Sequence, residues 1–153
     1  MHIGEICTRE VVHCQRDTSV TEIAQIMRNH HVGDVIVVEP KDGHVVPVGI
    51  VTDRDLVVEV LAQKLNPAEL TAQDLMNGDL VTAGISESVY DAIWHMRSRR
   101  VRRLPVVEAR GFLVGILTVD DVTEFLAEEL TQLTRVASGQ LKREKTGLAA
   151  TAA

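Results

Sequence analysis

The chain has 153 residues, 45% hydrophobic and 25% charged, with a formal net charge of −6, which is the composition of one ordinary soluble domain. The acidic balance argues against nonspecific nucleic-acid binding, which needs a basic surface to displace counterions. No apolar run is long enough to span a membrane and no basic leader opens the chain, so the expectation is a soluble, cytoplasmic protein without membrane contact, its Cys7 and Cys14 reduced.

In chain order, a short lead strand near Val11–Cys14 precedes a helix. Val20, Ile23, Ala24 and Met27 recur at the spacing of one helical face, and Thr18 is placed to cap it. A hairpin of Val35–Val38 with Val45–Thr52 turns at Asp42-Gly43. A second helix runs from Asp53 to Leu65 and stops before Asn66-Pro67. The same order then returns: a lead strand at Leu80–Ala83, and a helix on Val89, Ala92, Ile93 and Met96 with Ser86 as cap. A hairpin of Leu104–Val107 with Phe112–Thr118 turns at Arg110-Gly111. The last helix starts at Val119 and runs to about Val136, with Val122, Phe125, Leu126, Leu130 and Leu133 on one face.

The return is an internal repeat. Ser19, Val20, Met27, Arg28, Val32, Val37, Val38 and Glu39 recur as Ser88, Val89, Met96, Arg97, Val101, Val106, Val107 and Glu108. Gly49-Ile50-Val51-Thr52-Asp53-Arg54-Asp55 recurs as Gly115-Ile116-Leu117-Thr118-Val119-Asp120-Asp121. The two offsets differ only by a length change in the hairpin turn, where such changes are tolerated. One repeat of about sixty residues buries only a marginal core. The predicted fold is therefore α+β: two β-α-β-β-α repeats packed sheet to sheet about a pseudo-twofold axis. The division is 3–65, a linker 66–74, 75–137, and a flexible tail 138–153 with no apolar stripe.

This arrangement resembles a tandem pair of cystathionine-β-synthase-type (CBS) domains. The two Gly-x-x-Thr-x-x-Asp stretches and Arg103-Leu104-Pro105-Val106-Val107-Glu108 carry the likeness. The resemblance implies two clefts between the repeats that take adenosine compounds, further assembly into a homodimer, and a regulatory role rather than an enzymatic one. With no effector domain in the sequence, the output would pass to an unidentified protein partner or through oligomerisation. No metal and no cofactor beyond the regulatory nucleotide is expected.

The residues suit that chemistry. Thr52 and Thr118 end a strand where a helix begins, and backbone N–H groups at a helix start attract anions. Asp55 and Asp121 fall in the first turn, where a carboxylate can hold a ribose diol. Thr-x-x-Asp is equally a capping box, so a second reading stays open: a structural or dimerisation module with degenerate, empty clefts. Carried over from the resemblance, one cleft groups Thr118 and Asp121 with Cys7–Val12 and with Val32, Gly33 and Asp34. The other groups Thr52, Arg54 and Asp55 with Met76–Val81 and with Val101, Arg102 and Arg103. Arg102 and Arg103 stand where the first copy has Gly33 and Asp34, and Arg54 stands where the second has Asp120. Arginine pairs with phosphate and aspartate repels it, so the Thr52–Asp55 cleft is expected to favour the phosphorylated ligand. Tyr90 and Trp94 lie off their helix's apolar stripe and are expected at a helix-to-helix dimer contact.

Overall fold

A computed structural model describes residues 1–76 and 78–151, with side chains through residue 140. Two three-stranded sheets of the same design follow each other. In the first, β1 (His13–Gln15) runs parallel to β2 (Asp34–Lys41), which pairs antiparallel with β3 (His44–Thr52). In the second, β4 (Ala83–Gly84), β5 (Arg103–Val107) and β6 (Leu113–Thr118) repeat the order. β3 and β6 lie against each other and join the two sheets.

Helix α1 (Val20–His30) buries Val20, Ile23 and Met27, and α4 (Val89–Arg99) buries Val89, Ala92 and Met96, as the apolar spacing predicts. The caps differ from expectation. Ser19 and Ser88 accept the backbone N–H groups of Glu22 and Asp91. Thr18 instead accepts from Gln15 N–H in the turn after β1, and Ser86 is exposed. Each helix therefore starts one or two residues later than predicted, because the nearer hydroxyl is used by the preceding turn or faces solvent.

The first hairpin closes through Asp42 and Gly43, both at positive φ (51° and 75°). That is the two-residue turn whose twist matches paired strands. In both hairpins the register skips one residue, Val48 or Val114, immediately before Gly49 or Gly115. Pro47 falls at the first skip, where a missing N–H costs no regular ladder bond. Pro105 explains why β4 is short. Its counterpart Ile36 donates its N–H to Val12 carbonyl, extending the pairing beyond β1, and a proline has no N–H to do the same for Val81.

The helix after β3 begins as one α turn, α2 (Asp53–Asp55), and continues as a π-helix over Leu56–Leu61. Ala62 and Leu65 N–H groups donate five residues back, to Val57 and Val60 carbonyls. The wider turn brings Val60 inward and leaves Val57 and Leu61 exposed. The helix stops at Leu61, short of the predicted Leu65.

Two segments cross between the repeats. Residues 70–76, placed in or beside the linker, belong to the first core: α3 (Ala72–Leu75) buries Ala72 beside Ile23 and Val35. Val20 N–H donates to Leu70 carbonyl and Ala72 N–H to Thr18 carbonyl. The equivalent N-terminal turn, Ile3–Glu5, sits in the second core instead, with Ile3 fully buried against Ala83, Val89 and Leu104. Thr8 and Ile116 exchange both backbone hydrogen bonds at 2.9 Å. The repeats thus exchange their leading turns, and neither core is complete without the other copy.

The last helix, α5 (Val119–Thr151), does not end near Val136. Its helical backbone runs on through the segment expected to be a tail, as far as Thr151. No helix among the described residues is long and apolar enough to cross a membrane.

Candidate functional site

Each repeat carries an open cleft on the same elements. One, about 590 Å³, is lined by Thr8, Glu10–His13, Ile26, His30 and Val32. The other, about 470 Å³, is lined by Gly78–Thr82, Trp94, His95 and Arg99. Glu10, Val12, Ile26 and His30 correspond to Asp79, Val81, His95 and Arg99 in the repeat alignment. The clefts are pseudo-equivalent places with different walls.

The lead segments meet the strand that runs into the opposite copy's Thr-x-x-Asp, although Thr52, Asp55, Thr118 and Asp121 are not among the residues that line either cleft. Met76 packs on Gly49, so close that a Cβ on Gly49 would lie 2.7 Å from its Sδ. Cys7 and Thr8 pack on Gly115 in the same way. These two glycines are what let a second backbone approach the strand three residues before Thr52 or Thr118.

At the strand ends both capping boxes form. Asp55 Oδ2 accepts Thr52 N–H at 2.8 Å, and Thr52 Oγ1 accepts Asp55 N–H at 3.2 Å. Asp121 Oδ2 accepts both Thr118 N–H and its hydroxyl at 2.7 Å, and Thr118 Oγ1 accepts Asp121 N–H. Among the described residues no hydrogen bond uses Oδ1 of either aspartate, so each carboxylate keeps an oxygen for a ligand. A third box, Thr71 with Asp74, has the same geometry at the start of α3. The motif alone therefore does not mark a ligand cleft.

The two helix starts differ in their N–H groups. Around Thr52 the helix-start N–H groups already have acceptors: Asp53 N–H donates to Gly33 carbonyl, Arg54 N–H to Asp53 Oδ1, and Asp55 N–H to Thr52. Around Thr118, Val119 N–H donates to Arg102 carbonyl. Asp120 N–H is left without an acceptor among the described residues.

The arginines are regrouped. In backbone register Arg103 lies opposite Thr118, and Asp34 opposite Thr52. The backbones of Arg102 and Arg103 therefore lie at the Thr118 end of their own repeat. Val101 turns into an apolar groove between α4 and α5, while Val32 does line the Thr8–His13 cleft. Arg103 crosses to the first repeat through its guanidinium alone. Its Nε stands 2.5 Å from Asp34 Oδ1, with Gly33 and Asp53 beside it. Asp34 and Arg103 are the same position in the two copies, so this ion pair spans the pseudo-twofold axis. Burial pushes the Asp34 carboxyl above the ordinary aspartate range, an effect Arg103 opposes and nearby Asp53 reinforces. Arg54 and Arg102 are exposed.

The walls also hold residues that sequence reasoning passed over. His95 Nδ1 and Glu87 Oε2 are buried, 3.7 Å apart and without hydrogen-bond partners, while Glu87 Oε1 accepts Gly84 N–H. Their counterparts are Ile26 and Thr18. Trp94 lines this cleft yet is 63% exposed, and Tyr90 is exposed too. The available signal was a polar residue at the Ile26 position of an otherwise apolar helix face.

The two thiols differ as well. Burial pushes Cys14 up to about 11, while Cys7 is half-buried against Gly115. The thiolate is the reactive form, so iodoacetamide at pH 8 is expected to modify Cys7 well before Cys14. Peptide mapping with time would show the order, and first labelling of Cys14 would contradict this packing. No group of three or more potential metal ligands occurs among the described residues.

Comparison with known proteins agrees with this geometry. The CBS domain family matches residues 3–62 and 72–128. Hypoxic response protein 1 of Mycobacterium tuberculosis is 32% identical over 129 residues, covering 84% of this chain and 82% of its own. An uncharacterised protein of Methanopyrus kandleri is 38% identical over 122 residues, 80% of this chain, which spans 61% of that relative's length. Among solved structures, a CBS domain protein from Pyrobaculum aerophilum complexed with AMP superposes with a TM-score of 0.71 at 26% identity, over 79% of this chain and 89% of that one. Hypoxic Response Protein I with two coordinated zinc ions gives 0.71 at 29% identity, over 81% and 98%. With both repeats matched and their leading turns exchanged, the chain belongs to the CBS domain family.

Proposed function

We propose that this chain is a regulatory module that binds an adenosine-containing ligand between its repeats and passes the signal to a protein partner or through self-association. The observation that carries the reading is the pair of pseudo-equivalent clefts. Each is walled by a lead segment that packs on the glycine three residues before the other copy's Thr-x-x-Asp, whose aspartate keeps one oxygen free of the capping box. The AMP complex of the Pyrobaculum aerophilum protein supports the ligand class. Arg102, the Asp120 N–H and Thr118 make the Thr118–Asp121 end the better phosphate site. At the other end the N–H groups are taken, leaving Arg54 as the nearby exposed cation. The ligand acts by favouring one of two arrangements of the exchanged turns or of the assembly, which requires different affinity for the two. Exposed Tyr90 and Trp94 are the proposed helix contact between copies.

A second reading rests on the third capping box. Since Thr71 and Asp74 form the same box at the start of a short helix in the first core, the other two could serve folding alone in a structural module.

Small molecules carried through purification, identified by mass spectrometry and then titrated with AMP, ADP and ATP, separate the two. Binding at 100 times Kd stabilises the fold by about 2.7 kcal/mol, an easily read thermal shift. Asp55→Asn and Asp121→Asn keep an acceptor for the threonine N–H and remove the charge from the diol site. Each is expected to weaken its own cleft at least tenfold with the melting temperature of the free protein little changed. Unaltered affinity in both variants, or no shift with any nucleotide, would favour the structural module.

A further inference from the structure

We propose that α5 is a self-association helix, and that two copies of the chain pair through it antiparallel, independently of any ligand and apart from the Tyr90–Trp94 contact. Only the start of α5 rests on its own repeat: Val122 is buried and Phe125 half-buried against the second core. From Leu126 the helix leaves that support. Leu130 and Leu133 are 63% and 66% exposed, and Leu126 is exposed as well. A helix whose residues from Leu126 to Gln140 are all exposed gains little from its own hydrogen bonds, since isolated helices are marginal in water. Its stability calls for an apolar partner along the exposed side.

Spacing identifies the kind of partner. Leu126, Leu130, Leu133 and Ala137 follow a 4-3-4 interval, the seam of a helix that packs against another helix. The sequence carries further leucines at 141 and 148. Charge then selects the second copy and its direction. Between 119 and 131 the acids are Asp120, Asp121, Glu124, Glu128 and Glu129, with no base. Between 132 and 151 the bases are Arg135, Lys142, Arg143 and Lys145, against the single acid Glu144. A parallel pair would set acid beside acid, whereas an antiparallel pair sets each acidic half along the partner's basic half. The same distribution suits the dipole of a single helix, so charge fixes the orientation while the exposed leucines supply the association. Centred between Leu130 and Leu133, the antiparallel register places Leu126 opposite Ala137 of the second copy and brings residue 142 near that copy's first α5 turns.

The test is a zero-length carbodiimide crosslink on the full chain, mixed from ¹⁴N- and ¹⁵N-labelled protein, with the mass measured by sedimentation. Glu124 and Lys142 stand about 27 Å apart along one helix at 1.5 Å per residue, too far to join within a chain. Mixed-isotope crosslinks from Lys142 or Lys145 to Asp120 or Glu124 are expected, and Leu130→Glu with Leu133→Glu is expected to remove them. That double variant should keep the melting transition and nucleotide response of the repeats, because both positions are exposed. Crosslinks from Lys142 to Glu144 of the other copy would show a parallel pair and overturn the proposal. So would a single-copy mass at tens of micromolar, or mixed-isotope crosslinks from Lys142 or Lys145 to Asp120 or Glu124 that survive both glutamates. None of these outcomes bears on whether the clefts bind nucleotide, which the titrations decide separately.

Discussion

Replacing Gly115 with alanine is expected to lower the unfolding free energy by about 2–3 kcal/mol, the cost of forcing extra volume into a packed site. A Cβ at this position would lie 2.8 Å from Cys7 Sγ and 3.0 Å from Thr8 carbonyl. The sulfur could move, but the carbonyl belongs to the backbone that exchanges two hydrogen bonds with Ile116. Relief therefore means pushing the N-terminal segment off β6, and that segment carries Ile3 into the second core. Gly49→Ala should cost less, because all three of its nearest neighbours are side-chain atoms of Met76. Thermal melts of the two variants test the ranking, with a drop of several degrees expected for Gly115→Ala. Equal melting temperatures for Gly115→Ala and the parent would mean that the leading turn is not held as described.

Arg103→Ala is expected to cost about 1–3 kcal/mol at pH 7, the penalty for stranding a largely buried carboxylate. Asp34 has little solvent to replace its partner, and Asp53 stands nearby. The pH dependence has a definite sign. Burial holds the folded Asp34 carboxyl above its ordinary value, so between the two values the folded chain binds more protons than the unfolded one. Stability from this group is present at acid pH and falls as pH rises through that window. Removing Arg103 takes away the charge that opposed the shift and should widen the window. Denaturant unfolding of Arg103→Ala should thus show its deficit growing from mildly acid to neutral pH. Arg103→Ala combined with Asp34→Asn should recover most of the loss. A deficit independent of pH would assign Arg103 to packing alone.

These two predictions come from different depths of reading. The duplication, the apolar faces of α1 and α4 and both hairpins follow from short-range patterns. Periodicity and turn residues record which face a local segment must bury, and the order of elements follows from that. Gly49 and Gly115 were visible as repeated residues, but not as seats for the opposite copy's Met76 and Cys7. Helix starts were misplaced because Thr18, a good cap by type, is engaged by the turn after β1. The continuation of α5 was missed because a helix spaced for a partner outside the fold shows only a weak stripe toward its own core.

The site divides along the same line. Thr52, Asp55, Thr118 and Asp121 were legible, since a strand end followed by a capped helix is written in consecutive residues. The placement of the arginines was not. Arg102 and Arg103 look like phosphate ligands in sequence, yet register attaches them to the Thr118 end, and Asp34, their counterpart across the pseudo-twofold axis, takes the Arg103 guanidinium. Likewise, nothing local pairs His95 with Glu87 or sets His95 in one cleft wall and Ile26 in the other. By itself the sequence determined two repeats, their elements and their capped strand ends, because each depends on neighbours a few residues away. Only the tertiary structure decided which copy completes which core, which charges cancel and which N–H groups remain for a ligand, because those depend on distances between residues that the chain keeps far apart.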